Sequence, residues 1–207
     1  IDGSAIALTQ LEYQFRTIIL AASAGAMMGC LLTPTMVRLF QHAIKRFLIV
    51  GSIPKVVGYA LKPASLFKMA QQIHFPKFAM IKSLSLKNIP LQFLIMNIIV
   101  TSIYCIGVLC SLLAGAYNPE FRSTAIQLSG IVNGMATIMF TIFVDPPGAR
   151  VTDQAVNGQR PESDVRSVVF FLQLGKIVGT LLIAQLLFVP LAKYIMIVTQ
   201  WVTFYFQ

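Results

Sequence analysis

Apolar residues gather in four long runs, at residues 17–33, 91–117, 125–144 and 165–189, separated by prolines, asparagines and charges. Each run approaches or exceeds the roughly 20 mainly apolar residues that a helix needs to cross a hydrocarbon core of about 30 Å. The pattern predicts an all-α polytopic integral membrane protein, a single transmembrane domain with at least four transmembrane helices. Between the first two runs, Leu39, Phe40, Ala43, Ile44, Phe47 and Leu48 recur at spacings of three and four, while Arg38, Gln41, His42, Lys45 and Arg46 fill the opposite side. That predicts an interfacial amphipathic helix lying on anionic headgroups. Pro54, Pro63, Pro76 and Pro90 break the following stretch into short helices or loops. The aromatic tail, residues 194–207, reads as an outer-leaflet anchor or as part of a bent last helix. Residues 1–14 are too polar and too short for a span or a secretory signal, and further spans are expected upstream of Ile1.

Inside the apolar runs lies a second, finer pattern. In the third run Ser123, Gln127, Gly130, Gly134, Thr137 and Thr141 repeat at spacings of four and three, with Asn133 beside them. On a helix they share one face. Asn97, Thr101, Tyr104, Ser111 and Gly115 do the same in the second run, and Arg166, Gln173, Lys176 and Thr180 in the fourth. Three such faces could line one cavity. They could equally be packing surfaces, since small residues let helices approach and hydroxyls bond between them. Gly25 with Gly29, Gly130 with Gly134, and Gly175 with Gly179 each have the GxxxG spacing, which would also permit a homodimer enclosing a shared path.

Composition, 57% apolar and 11% charged, leaves no room for one water-soluble core, and the distribution of charge matters more than its net value. No acidic residue stands between Glu12 and Glu120, whereas nine cations fall from Arg38 to Lys87: Arg38, Lys45, Arg46, Lys55, Lys62, Lys68, Lys77, Lys82 and Lys87. An excess of Lys and Arg marks cytoplasmic segments, so the basic region 38–90 is expected inside, as is the loop at residues 145–164. Such cations flank spans instead of forming a soluble basic face, which argues against nucleic acid as a partner and for membrane lipids.

Lys176 lies about eleven residues inside its run, near the expected bilayer midplane, where an ammonium costs roughly 2.5–3.5 kcal/mol on insertion scales. A cavity, a counter-charge or an anionic ligand must offset that cost. Glu12 and Arg16, four apart, are expected to pair at the outer rim, and Glu120 with Arg122 on the external turn. Asp145 is expected to close the third helix, where an acid is unfavourable, and to need Arg150 or Arg166 as its partner. No catalytic, metal or cofactor constellation is present: Cys30, Cys105 and Cys110 are isolated thiols, His42 and His74 have no nearby carboxylate, and no phosphate-cradling GxxxxGK[ST] occurs. The residues alone thus indicate polar or anionic cargo. They leave open a transporter or scramblase of a polyprenyl-phosphate-linked or other anionic lipid, a non-transporting scaffold, and an enzyme acting on prenyl phosphates.

The strings Leu11-Glu-Tyr-Gln-Phe-Arg16, Leu31-Leu-Thr-Pro-Thr-Met-Val-Arg-Leu-Phe40 and Gly51-Ser-Ile-Pro54 resemble the Amj family of bacterial lipid II flippases. Asn118-Pro-Glu-Phe-Arg122, Gln127-Leu-Ser-Gly-Ile-Val-Asn-Gly-Met-Ala-Thr-Ile138, Phe143-Val-Asp-Pro146, Thr152-Asp-Gln-Ala-Val156 and Gly175-Lys-Ile-Val-Gly-Thr-Leu181 continue the resemblance in order. It implies about six spans in the intact protein and a bacterial cytoplasmic membrane location. It also implies movement of lipid II, the undecaprenyl-pyrophosphate-linked peptidoglycan precursor, to the outer leaflet during cell-wall synthesis. Position and charge then assign Lys176, Arg166, Arg16 and Arg122 to its anionic groups. Gln127, Asn133, Thr137, Thr141, Asn97, Thr101 and Gln173 are assigned to its polar ones, and Glu12, Glu120 and Asp145 as charge partners.

Overall fold

The structure, a computed structural model, describes residues 3–61, 84–87 and 89–206. Among these residues every regular element is helical, and four helices are long and apolar enough to cross a membrane. The chain is an all-α integral membrane protein. It divides into two compact units, residues 27–83 and the remainder.

Helix α1 (Gly3–Val50) runs unbroken past Pro34, so the amphipathic segment 38–48 is its continuation and not a separate interfacial helix. Residues 35–50 contain neither glycine nor proline and keep helical spacing. Pro34 therefore removes one backbone bond from a segment that is helical on both sides, a loss that long membrane helices tolerate. The helix stops at Gly51, whose φ of +65° is a left-handed cap and whose N–H donates to the Phe47 carbonyl at 2.8 Å. Both faces of the segment are exposed, Arg38, Lys45 and Arg46 along with Phe40, Ile44 and Leu48. A short α2 (Ile53–Ala60) follows, with Pro54 in its first turn. Lys62, Lys68, Lys77, Lys82, Pro63, Pro76 and His74 lie outside the described residues.

In the larger unit α3 (Leu91–Tyr117) is central and packs against all the later spans. Pro90 precedes it, and Asn118 with a 3-10 turn (Pro119–Phe121) ends it. Helix α4 (Arg122–Phe143) returns antiparallel, and α5 (Asp145–Val156) occupies most of the segment expected to be a loop. Helix α6 (Glu162–Val178), a π-helical turn (Gly179–Ile183) and α7 (Ala184–Phe206) then form one continuous span. Pro190 lies inside α7 without ending it. The aromatic tail is thus part of the last helix, with Trp201 stacked on Tyr205 at 6.0 Å.

Two apolar clusters hold this unit. Ile19 of α1, Ile106, Cys110 and Leu113 of α3, and Ala184, Phe188, Ala192 and Ile195 of α7 form the larger. Phe93, Val144, Val151 and Val168 form the other, toward the opposite end of α3. Acyl chains are as apolar as leucine, so burial alone does not select a neighbour in lipid, and close fit does. Here that fit comes from Gly175 and Gly179, which seat α6 and the π turn on α3. A Cβ at Gly175 would stand 2.7 Å from Asn97 Nδ2, and one at Gly179 would stand 2.7 Å from the Ile98 carbonyl oxygen. Gly25, Gly29, Gly130 and Gly134 have nothing within 4 Å of such a Cβ. Of the three GxxxG pairs, one is a packing seat within the chain.

Candidate functional site

The polar face of α3 is covered at both ends and open in the middle. Asn97 is buried under α6 and gives its Nδ2 hydrogen to the Leu172 carbonyl at 3.0 Å. At the other end, Gly115 is buried against Arg122, whose Cγ would be 3.0 Å from a Cβ there. Between them Tyr104 and Val108 stand exposed. One side of this opening is α4, where Asn133 lies over Gly107 and Thr137, one turn on, bonds Tyr104. The other side is α6. Gly175 points at α3, so Lys176, about 100° further round the helix, leaves the contact on its flank and is exposed.

The α3 stripe is bonded to α4 through Tyr104 and Thr137 and to α6 through Asn97, and each stripe has hydroxyl bonds of its own. Thr101 donates to the Asn97 carbonyl at 2.7 Å, Thr137 to Asn133 at 2.8 Å, Thr141 to Thr137 at 3.0 Å and Thr180 to Lys176 at 2.9 Å. Each hydroxyl proton is spent on the preceding turn. The lone pairs of the exposed Thr137 and Thr141 thus remain as acceptors. It follows that Tyr104 donates to Thr137 in the bond they share. Gln127 and Ser123 are exposed on the same face of α4, and Gln173 is half-buried on α6. Asn133 keeps a buried Oδ1 that meets no donor, pressed against the Gly107 Cα, where only a weak C–H contact is available.

Lys176 is not at the centre of its span. Gly175 faces Asn97 and Ile98, six to seven residues from the middle of the 27-residue α3, or roughly 10 Å by helical rise. The reason is that the last helix begins at Glu162 and continues beyond Val189 to Phe206, which moves its centre toward the π turn.

Glu12 and Arg16, one turn apart on α1, pair as their spacing predicts. Arg16 Nε pairs with Glu12 at 3.1 Å, and its Nη1 donates to the Gln185 backbone carbonyl at 2.9 Å and to Gln185 Oε1 at 3.2 Å. Gln185 Nε2 answers with a bond to the Arg16 carbonyl at 3.0 Å, and the guanidinium lies 5.8 Å from the Phe188 ring centroid. Gln185 was missed as a site residue. The only local sign of it is one amide in the apolar run Leu181 to Val189.

Toward the ends of the spans, Arg166 is exposed and pairs with Glu162 at 3.3 Å, so it does not serve Asp145. Arg150 does not either: Asp145 occupies the first turn of α5, where the helix dipole itself favours an acid. The expected helix C-terminus is in fact a helix start, and no compensating cation is required. Glu120 and Arg122 are both exposed and form no ion pair with each other.

Comparison with known proteins gives the chain a family. A family model described as "Amj: Alternate to MurJ" matches residues 2–199. The lipid II flippase Amj of Bacillus subtilis (strain 168) is 33% identical over 201 residues, covering 97% of this chain and 74% of that protein. No solved structure matches.

Proposed function

The chain belongs to the Amj family, a family of lipid II flippases and not of enzymes, and from that premise we propose that it carries lipid II across the bacterial cytoplasmic membrane, from the inner to the outer leaflet, along the open polar flank of α3, α4 and α6. What supports this reading is an exposed ammonium, Lys176, on a helix seated on α3, together with a row of exposed hydroxyl acceptors on α4, the helix that bonds Tyr104 of α3. The cargo has complementary groups. Its pyrophosphate accepts hydrogen bonds and takes the Lys176 ammonium. Its sugar hydroxyls and amide N–H groups donate, and meet Thr137, Thr141 and Gln127. The prenyl tail stays in lipid. Asn97 and Thr101 shape the floor, and Gln173 lies beside Lys176 on α6. Arg166 and Arg122, near opposite ends of the spans, receive and release the charged head.

In this orientation the basic region and the segment between α4 and α6 face the cytoplasm. A cysteine placed at Gln159, exposed in the turn after α5, is expected to react with an impermeant maleimide only after cells are permeabilised. Labelling of intact cells would reverse the orientation. The function itself is tested by reconstituting the purified protein in vesicles with fluorescent lipid II and following its access to an external quencher or enzyme. Exchange above that of protein-free vesicles, with the lipid recovered at unchanged mass, is the expected result. Exchange no faster than in empty vesicles, or recovery of an altered lipid, would overturn the proposal.

A further inference from the structure

Between Gly179 and Pro190 the last span is irregular, and the contact that ties it to α1 lies inside that interval. The π turn (Gly179–Ile183) interrupts the α-helical register, and such turns inside helices recur at functional sites. Pro190 has no N–H, so the Leu186 carbonyl lacks its usual donor. The lower border of the interval is fixed to α3: Ser102 donates to the Gly179 carbonyl at 3.0 Å, and Gly179 has no room for a side chain. Two regular helices, α6 and α7, thus meet at a weakened joint whose α6 side is anchored.

The α7 side is held by the reciprocal bonds of Arg16 and Gln185, with Glu12 completing the guanidinium's partners. Phe188, one turn beyond, is fully buried between Phe15, whose ring is edge-on at 6.1 Å, and Cys110, whose thiol bonds the Phe188 carbonyl at 3.3 Å. Cys110 aligns with Phe188 and Ser102 with Gly179, so Gln185 stands only about three residues, roughly 5 Å, from the middle of α3. A charged side chain at that depth is costly unless its hydrogen bonds are made. Arg16 makes them with Gln185.

We infer that Gln185 is a positioning residue that latches α7 to α1 through Arg16, and that the interval Gly179–Pro190 is the hinge about which α7 moves when the latch opens. On this reading Arg16 is a latch residue and does not hold substrate. The inference relies on the flippase reading only for its purpose, to let α7 swing during transport. The hinge itself is a property of the chain alone.

Cys110 lies behind the latch and is fully buried, which makes it a native reporter once Cys30 and Cys105 are replaced by serine. In the full chain in lipid nanodiscs, Gln185→Leu and Arg16→Gln are expected to raise the rate of Cys110 modification by a small methanethiosulfonate on the order of tenfold, in keeping with loss of one or two interior hydrogen bonds. Gln185→Glu, which keeps an acceptor for Arg16, is expected to restore slow modification. Spin labels at the exposed Leu174 of α6 and Ile197 of α7 should show a second distance population in Gln185→Leu. A single unchanged distance would overturn the hinge, as would thiol rates unaltered by all three variants or raised equally by Gln185→Glu and Gln185→Leu. Because neither readout involves lipid II, failure of the vesicle assay alone leaves the latch standing, and failure of the latch leaves the flippase assignment standing.

Discussion

Lys176→Met is expected to reduce outward movement of lipid II roughly ten- to a hundredfold, the loss of a hydrogen bond between charged groups worth about 1.5–3 kcal/mol. The amount of folded protein should stay the same or rise. These opposite signs make the experiment decisive. Lys176 is exposed on the flank of α6, and among the described residues no ion pair holds its ammonium. A methionine there removes a charge that costs roughly 2.5–3.5 kcal/mol to place in the hydrocarbon, and it breaks no ion pair described in the structure. Lys176→Arg keeps the charge and should keep most transport. Leaflet exchange in vesicles, normalised to the reconstituted protein, is the measurement. Undiminished exchange by a well-folded Lys176→Met would remove this residue from the path and with it the electrostatic core of the proposed site.

Local punctuation sets how much of the fold is legible in the residues. Helix α3 was legible from Leu91 to Tyr117 because Pro90, Asn118 and Pro119 bracket an uninterrupted apolar run. The faces of α4 and α6 were legible from their spacing, as helical periodicity is a local property. Pro34 and Pro190 directly follow the first and last apolar runs, yet the helix passes through both. The last span also passes through a π turn at Gly179–Ile183, which has no signature in residue spacing. The Arg16–Gln185 contact joins residues 169 apart, beyond any window of periodicity. The three GxxxG pairs look alike in sequence, and only the neighbours of each distinguish the seat at Gly175 and Gly179 from the open faces elsewhere.

The two sets of charges have different surroundings, and this separates their roles. Arg16 has Glu12, both polar groups of Gln185 and the Phe188 ring around it. A guanidinium so engaged gives up several bonds before it can take a phosphate, which suits a strut that opens rarely. Lys176 is exposed, and among the described residues no ion pair holds it. An ammonium in that setting binds an incoming anion without first breaking an ion pair, which suits a group used in every cycle. On the proposed function Arg16, bonded between α1 and α7, is thus the structural cation, and the exposed Lys176 is the one that meets the cargo.

The seat of α6 on α3 carries the second large effect. At Gly179 a Cβ would lie 2.7 Å from the Ile98 carbonyl oxygen, 2.8 Å from Thr101 Oγ1 and 3.0 Å from Ser102 Oγ. The first is backbone and cannot turn away, and moving the third weakens its bond to the Gly179 carbonyl. At Gly175 the contacts would be Asn97 Nδ2 at 2.7 Å and Ile98 Cγ1 at 3.2 Å. Gly179→Ala and Gly175→Ala are therefore expected to cost about 1–3 kcal/mol each, the usual range for overpacking, and Gly179→Leu to leave little folded protein. Gly130→Ala and Gly134→Ala meet nothing within 4 Å, so they should be neutral or stabilising by up to about 1 kcal/mol through helix propensity. The midpoint of thermal aggregation in detergent, followed by size-exclusion chromatography, ranks the four. If Gly130→Ala fell as far as Gly179→Ala, the open face of α4 would have to be a packed one in the folded protein, and the polar flank would lose the exposure on which its use for lipid II depends.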